Sequence, residues 1–230
     1  MTTRVLYLHG FSGKPDGVKY QALRKSLPGF NLHPPLQLPF PDRLPEGLAQ
    51  KTTVVLSIWS RLRKALVLAQ QAVNSFRPQV IVGSSMGGAL ATQLETSAAL
   101  VLIAPATRIS WIPVGFGPYP DRPVPPDTVI LHSQYDRLVP PDASRALLRR
   151  SQPKDAAGLE TIRRVGSGLT AMGYSPEDNR LLILGASHSC NDPDPKADGK
   201  PQDHPHTALV ESVQLLSGLS GAVSPTRAAA

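Results

Sequence analysis

The chain has 230 residues, 41% of them apolar and 18% charged, with a net charge of +7 and a pI near 9.8. This composition supports a buried core and argues against a charge-driven disordered chain. A single cysteine excludes an internal disulfide and makes a reducing, cytoplasmic setting the expectation. No apolar run approaches the roughly 20 residues of a membrane span, and the stretch ahead of His9 is too short for a signal-peptide core. Proline is the outlier, at 24 residues, about twice its average share of ~5%.

In chain order, the first short apolar run covers 5–8 and ends at His9 and Gly10. A helical stripe follows at Val18, Tyr20, Leu23 and Leu27. Residues 32–38 read as an edge strand at most, because Pro34 and Pro35 cannot donate to a ladder. From Val55, apolar residues recur at Trp59, Leu62, Leu66, Ala69, Val73 and Phe76, with Arg61, Arg63 and Lys64 on the opposite face. Strands are predicted at 79–83, 99–104, 128–132 and 181–185. Weaker helical patterns lie between them after Pro141, through Ala146 and Leu147, and at the end with Leu209, Val213 and Leu216.

The strand runs are continuous rather than alternating, the pattern of strands buried on both faces. Alternating with helices, they predict an α/β chain: a doubly wound, mostly parallel sheet of about six strands with helices on both faces. One domain over 1–220 and a flexible tail over 221–230 are expected. Residues 107–127 hold six prolines among Trp111, Phe116 and Tyr119. That stretch is too short for a lid domain and reads as a proline-braced, cap-like binding loop, a minimal cap. Residues 189–205, rich in Asp, Pro and Lys, read as a solvated loop, and 156–174 has no assigned place.

The chemistry centres on Val82-Gly-Ser-Ser85-Met-Gly-Gly88, a G-x-S-x-G with Ser85 at its middle. A strand precedes it and a helix of small residues follows, which is the setting of a nucleophile elbow. The glycines allow a sharp turn with close strand–helix packing, and the helix start supplies N–H donors where an oxyanion would form. A serine needs a base to take its proton. Of six histidines, His188 in Gly-Ala-Ser-His comes just after the last strand, at the edge to which the elbow points. His132 lies in a strand and reads as a core residue; His33, His204 and His206 sit in loops. The partner that would fix the base's tautomer is Asp136, just past strand 128–132, with Asp192 and Asp194 as fallbacks. Asp127 begins that strand and would face the wrong edge. The backbone N–H of Phe11, in the turn after the first strand, could converge with that of Met86 on the oxyanion. His9 then holds the loop rather than acting as a second base.

Leu-His-Gly-Phe near the start, Gly-Ser-Ser-Met-Gly-Gly, Asp136 followed by Leu-Val-Pro, and Gly-Ala-Ser-His together resemble the α/β-hydrolase superfamily. The chain order Ser, Asp, His is also that of the superfamily. The early His-Gly-Phe and the small size are similar to the compact bacterial esterases of the YqiA type. The resemblance implies a serine hydrolase with Ser85 as nucleophile, His188 as base, Asp136 as its partner, and Phe11 and Met86 as oxyanion donors. The expected reaction is cleavage of a carboxylic ester of a small or medium acyl group, with Trp111, Phe116 and Tyr119 as candidate pocket residues. Thioesterase, amidase or acyltransferase chemistry would use the same triad, and a non-catalytic binding protein on this fold is the remote alternative.

Other features carry less. Cys190 lacks the helix-start setting that lowers a thiol pKa. The Asp and His residues of 191–206 match no metal-site spacing, so neither a metal nor a cofactor is expected. The cations sit singly or in pairs without interleaved aromatics, which does not suit a nucleic-acid groove. The expected partner is therefore a small-molecule ester.

Overall fold

The computed structural model describes residues 2–11, 13–40, 51–107, 124–125, 127–133, 136, 138–149, 181–184 and 205–222. Six strands are present: β1 (Arg4–Leu8), β2 (Asn31–Leu32), β3 (Val80–Ser84), β4 (Ala99–Ile103), β5 (Thr128–Ser133) and β6 (Leu181–Leu184). They form one sheet in the order β2-β1-β3-β4-β5-β6, and every pair is parallel. Five helices accompany them among the described residues: α1 (Val18–Ser26), α2 (Lys51–Phe76), α3 (Met86–Ala91), α4 (Pro141–Arg149) and α5 (Pro205–Ala222).

Side chains alternate across a strand, so a sheet buried on both faces needs two cores. Leu6, Leu8, Ile81, Leu100, Leu102 and Ile130 share one core with α2, α3 and α4. Val5, Tyr7, Val80, Val82, Val101, Ile103, Val129 and Leu131 share the other with α1 and α5. On α2 the buried row is Leu62, Ala65, Ala69, Ala72 and Val73, with Leu66 packed at its margin. The expected doubly wound sheet is observed.

Several boundaries differ from the sequence reading. Only Asn31 and Leu32 of the 32–38 run and its approach form a ladder, in register with Arg4 and Val5. The prolines end the ladder, and the chain continues without one to bury Leu38 in the core. Val18 begins α1 but is 58% exposed, so the buried stripe starts at Tyr20. Helix α5 continues through Gly218 and Gly221 to Ala222, two residues into the segment expected as a tail. No helix among the described residues is long and apolar enough to cross a membrane.

Candidate active site

In a parallel sheet the loops after successive strands open at one edge, where the residues after β1, β3 and β5 must gather. Ser85 follows β3 directly and takes φ 51° and ψ −112°, a left-handed conformation costly for a residue with a side chain. The sequence predicts the following helix from Gly87. It begins one residue earlier, at Met86, because Ser85 itself makes the turn.

Neighbouring backbone holds this turn. The Ser85 N–H donates to the Ile103 carbonyl (2.7 Å) at the end of β4. The Ser85 carbonyl accepts from Ala89 (3.0 Å) in α3 and from Ala106 (2.9 Å) beyond β4. Ala104, also at positive φ (42°), donates to Leu131 (2.8 Å), tying the same corner to β5.

The turn after β1 lies against the elbow. A Cβ on Gly10 would stand 2.9 Å from both the Ser84 oxygen and the Ser85 Cβ, so only a glycine fits. A Cβ on Gly87 would strike the carbonyl oxygens of Leu8 and His9. This double approach puts Phe11, the residue after Gly10, beside the start of α3. The first N–H groups of any helix, that of Met86 included, have no intrahelical partner. Phe11 is half-buried, and its ring stacks on Phe40 at a centroid distance of 6.3 Å.

His9 is 1% exposed and spans this corner. Its Nε2 accepts the Leu38 N–H at 3.0 Å, so the proton sits on Nδ1, which donates to the Gly10 carbonyl at 2.9 Å. Burial pushes its pKa down, which keeps the ring neutral. The ring therefore braces the turn, in line with the loop-holding role read from the sequence.

Asp136 follows β5 at the same edge and is buried. Its Oδ1 accepts the N–H groups of Leu138 (2.9 Å) and Val139 (2.8 Å), an Asx-type turn. Its Oδ2 lies 3.3 Å from Nε2 of His132, whose side chain is wholly buried. His132 Nε2 also reaches the Val139 carbonyl (2.9 Å), and its Nδ1 meets the Ser144 hydroxyl of α4 (2.7 Å). The sequence marks His132 only as core. In an extended strand, residues four apart are about 13 Å distant, so the contact shows that Asp136 does not continue the line of β5.

Of the residues singled out from sequence, Ser85, Met86, Phe11 and Asp136 thus lie along one sheet edge. His188, Trp111, Phe116, Tyr119, Cys190, most of 107–127, and all of 156–174 and 191–204 lie outside the described residues. Among the described residues, no three His, Cys, Asp or Glu side chains are grouped as a metal site.

A sequence model of the alpha/beta hydrolase family matches residues 5–215, from β1 into α5. The chain belongs to this family. The α/β-hydrolase fold is shared by solved structures of low identity. A protein of Xanthomonas campestris pv. campestris assigned to the alpha/beta hydrolase superfamily is 18% identical, with a TM-score of 0.53 over 97% of this chain and 100% of that one. A YdeN-like protein of Pectobacterium atrosepticum is 12% identical, with a TM-score of 0.54 over 94% and 92%. A structure from work on two metagenome-derived lipolytic enzymes, LipS and LipT, is 17% identical, with a TM-score of 0.51 over 82% and 86%. No curated protein matches this chain. In this α/β-hydrolase Ser85, the turn after β1 and Asp136 share one edge because the strands they follow are parallel.

Proposed function

We propose that this chain is a serine hydrolase that cleaves carboxylic esters of small to medium acyl groups. The observation that carries the reading is the backbone of Ser85, a left-handed turn between β3 and α3 held by Ile103, Ala89 and Ala106. Such a turn presents a side chain at the sheet edge while keeping the reacting oxygen fixed, which favours attack on a bound carbonyl.

In this reading Ser85 Oγ attacks the ester carbonyl carbon while His188 takes the hydroxyl proton. The carbonyl oxygen becomes an oxyanion that accepts the N–H groups of Phe11 and Met86. The tetrahedral intermediate collapses, His188 passes its proton to the departing alkoxide, and an alcohol leaves. His188 then deprotonates a water that attacks the acyl-enzyme, releasing the acid and restoring Ser85. Asp136 accepts the Nδ1–H of His188 and stabilises the imidazolium. Trp111, Phe116 and Tyr119 are proposed to contact the acyl or alcohol group. The closeness of Gly10 to Ser85 supports the two-donor oxyanion site, and the narrower likeness to compact bacterial esterases rests on the sequence motifs. A single cysteine favours a cytoplasmic setting.

A fluorophosphonate probe tests the class. The adduct is expected on the Ser85 peptide by mass, and Ser85→Ala is expected to lose both the adduct and p-nitrophenyl ester turnover. Labelling elsewhere, or turnover that survives the substitution, would overturn the reading. Parallel assays with acyl thioesters and anilides separate the ester reading from thioesterase and amidase activity.

A further inference from the structure

We propose that His132 is a positioning residue for Asp136, holding the carboxylate in the orientation that the base requires. The inference rests on the reading of Asp136 as the partner of His188. It deepens that reading by adding a second, buried histidine against the same acid.

The hydrogen-bond chemistry fixes a proton on one nitrogen. His132 Nε2 meets the Val139 carbonyl at 2.9 Å, so it must carry a proton; Asp136 Oδ2 lies 3.3 Å from the same nitrogen, an electrostatic contact rather than a second hydrogen bond. In the neutral ring Nδ1 is then the bare nitrogen, and the Ser144 hydroxyl donates to it at 2.7 Å. The chain of contacts runs from Ser144 on α4, through His132 on β5, to the Val139 carbonyl, with Asp136 Oδ2 beside the ring. Its members are all buried, so no solvent competes for these contacts. The two N–H groups of Leu138 and Val139 pin Oδ1. A carboxylate fixed at one oxygen can still rotate about its Cβ–Cγ bond, and the buried polar edge of the His132 ring, 3.3 Å from Oδ2, limits where it can go.

Val139 gives the arrangement its stiffness. Its N–H holds Asp136 Oδ1 while its carbonyl holds His132 Nε2, so one peptide segment fixes both partners. An apolar residue of similar volume would fill the same space without the cost of burying a polar ring.

Four variants and one spectroscopic measurement test this. His132→Leu keeps volume and removes the donor, whereas His132→Gln keeps an N–H near the position of Nε2. With a p-nitrophenyl ester, His132→Leu is expected to lower kcat roughly 10-fold, about the net worth of one buried hydrogen bond. KM should stay within about twofold, since His132 touches no substrate, and His132→Gln should recover most of the loss. Wild-type kcat in His132→Leu, or equal loss in both variants, would overturn the proposal. Nitrogen-15 histidine NMR of the wild-type protein reads the tautomer without any variant having to fold. An Nε2–H signal that shifts in Asp136→Asn supports the pairing, and an Nδ1–H tautomer overturns it. Ser85→Ala run beside them separates the two ideas. Turnover surviving in Ser85→Ala sinks the hydrolase reading and the positioning role with it. Turnover lost there but unchanged in His132→Leu sinks the positioning role alone.

Discussion

His9 has both ring nitrogens committed to backbone, one accepting from Leu38 and one donating to Gly10, so a second proton would have no acceptor. Burial is the cause of its lowered pKa, and the sign of the pH effect follows. The unfolded chain takes up a proton near the ordinary value of ~6.5, and the folded chain does so only at lower pH. Stability is therefore complete above about pH 6.5 and declines as pH falls from there through the lowered folded value. His9→Gln retains an acceptor for the Leu38 N–H and cannot titrate. Urea midpoints measured between pH 8 and 5 are expected to fall more steeply in the wild type than in His9→Gln; equal slopes would refute this. The residue scale also shows where sequence reading stops. Ser85 and Gly87 were legible because strand, turn and helix are contiguous in the chain. The approach of His132 to Asp136 was not, because it is a contact that the strand pattern does not register. The second ring contact of this corner, His9 edge-on to Phe40 at 5.5 Å, likewise joins segments that the chain sets far apart.

At the scale of elements, the strands were the most legible feature. Each is a short run of apolar residues, and the two faces divide by odd and even positions, Val5 and Tyr7 on one and Leu6 and Leu8 on the other. Helix α2 was legible from its apolar stripe, although its start at Lys51 precedes the stripe. The ends were harder. β2 stops at Leu32 although β1 runs on to Leu8, because Pro34 and Pro35 cannot donate to the ladder. Helix α5 outlasts its own sequence signals; Leu209, Val213 and Leu216 pack into the core, and burial of that face outweighs the weak propensity of Gly218 and Gly221. The close contact of α3 with the β1 turn had only its glycines as a sign. Their role became definite once Gly87 was seen against the Leu8 and His9 carbonyls.

For the whole molecule, one sheet joins strands from Arg4 to Leu184, and both of its cores draw on β1, β3, β4 and β5. Loss of either core would expose the same strands, which couples the two faces and supports the reading of 1–220 as one domain. Far-UV circular dichroism and tryptophan fluorescence are expected to give one urea midpoint. Two separated transitions would mean that the chain divides into units. The sheet order was not derivable from the runs themselves, since periodicity says which face is buried and not which strands are neighbours. The charge of +7 proved uninformative about the site, in keeping with its scatter over helix faces. The turn at Ser85 sets stability against activity. Its positive φ stores about 1–3 kcal/mol in the native backbone, and glycine adopts such angles freely. Ser85→Gly adds about 0.4–1 kcal/mol of freedom to the unfolded chain, less than the strain it removes. The variant is expected to unfold at a higher urea concentration than the wild type while being inert to ester; a lower midpoint would argue against the stored strain. Selection for robustness alone would thus remove this serine, and its retention is a cost borne for what the side chain does.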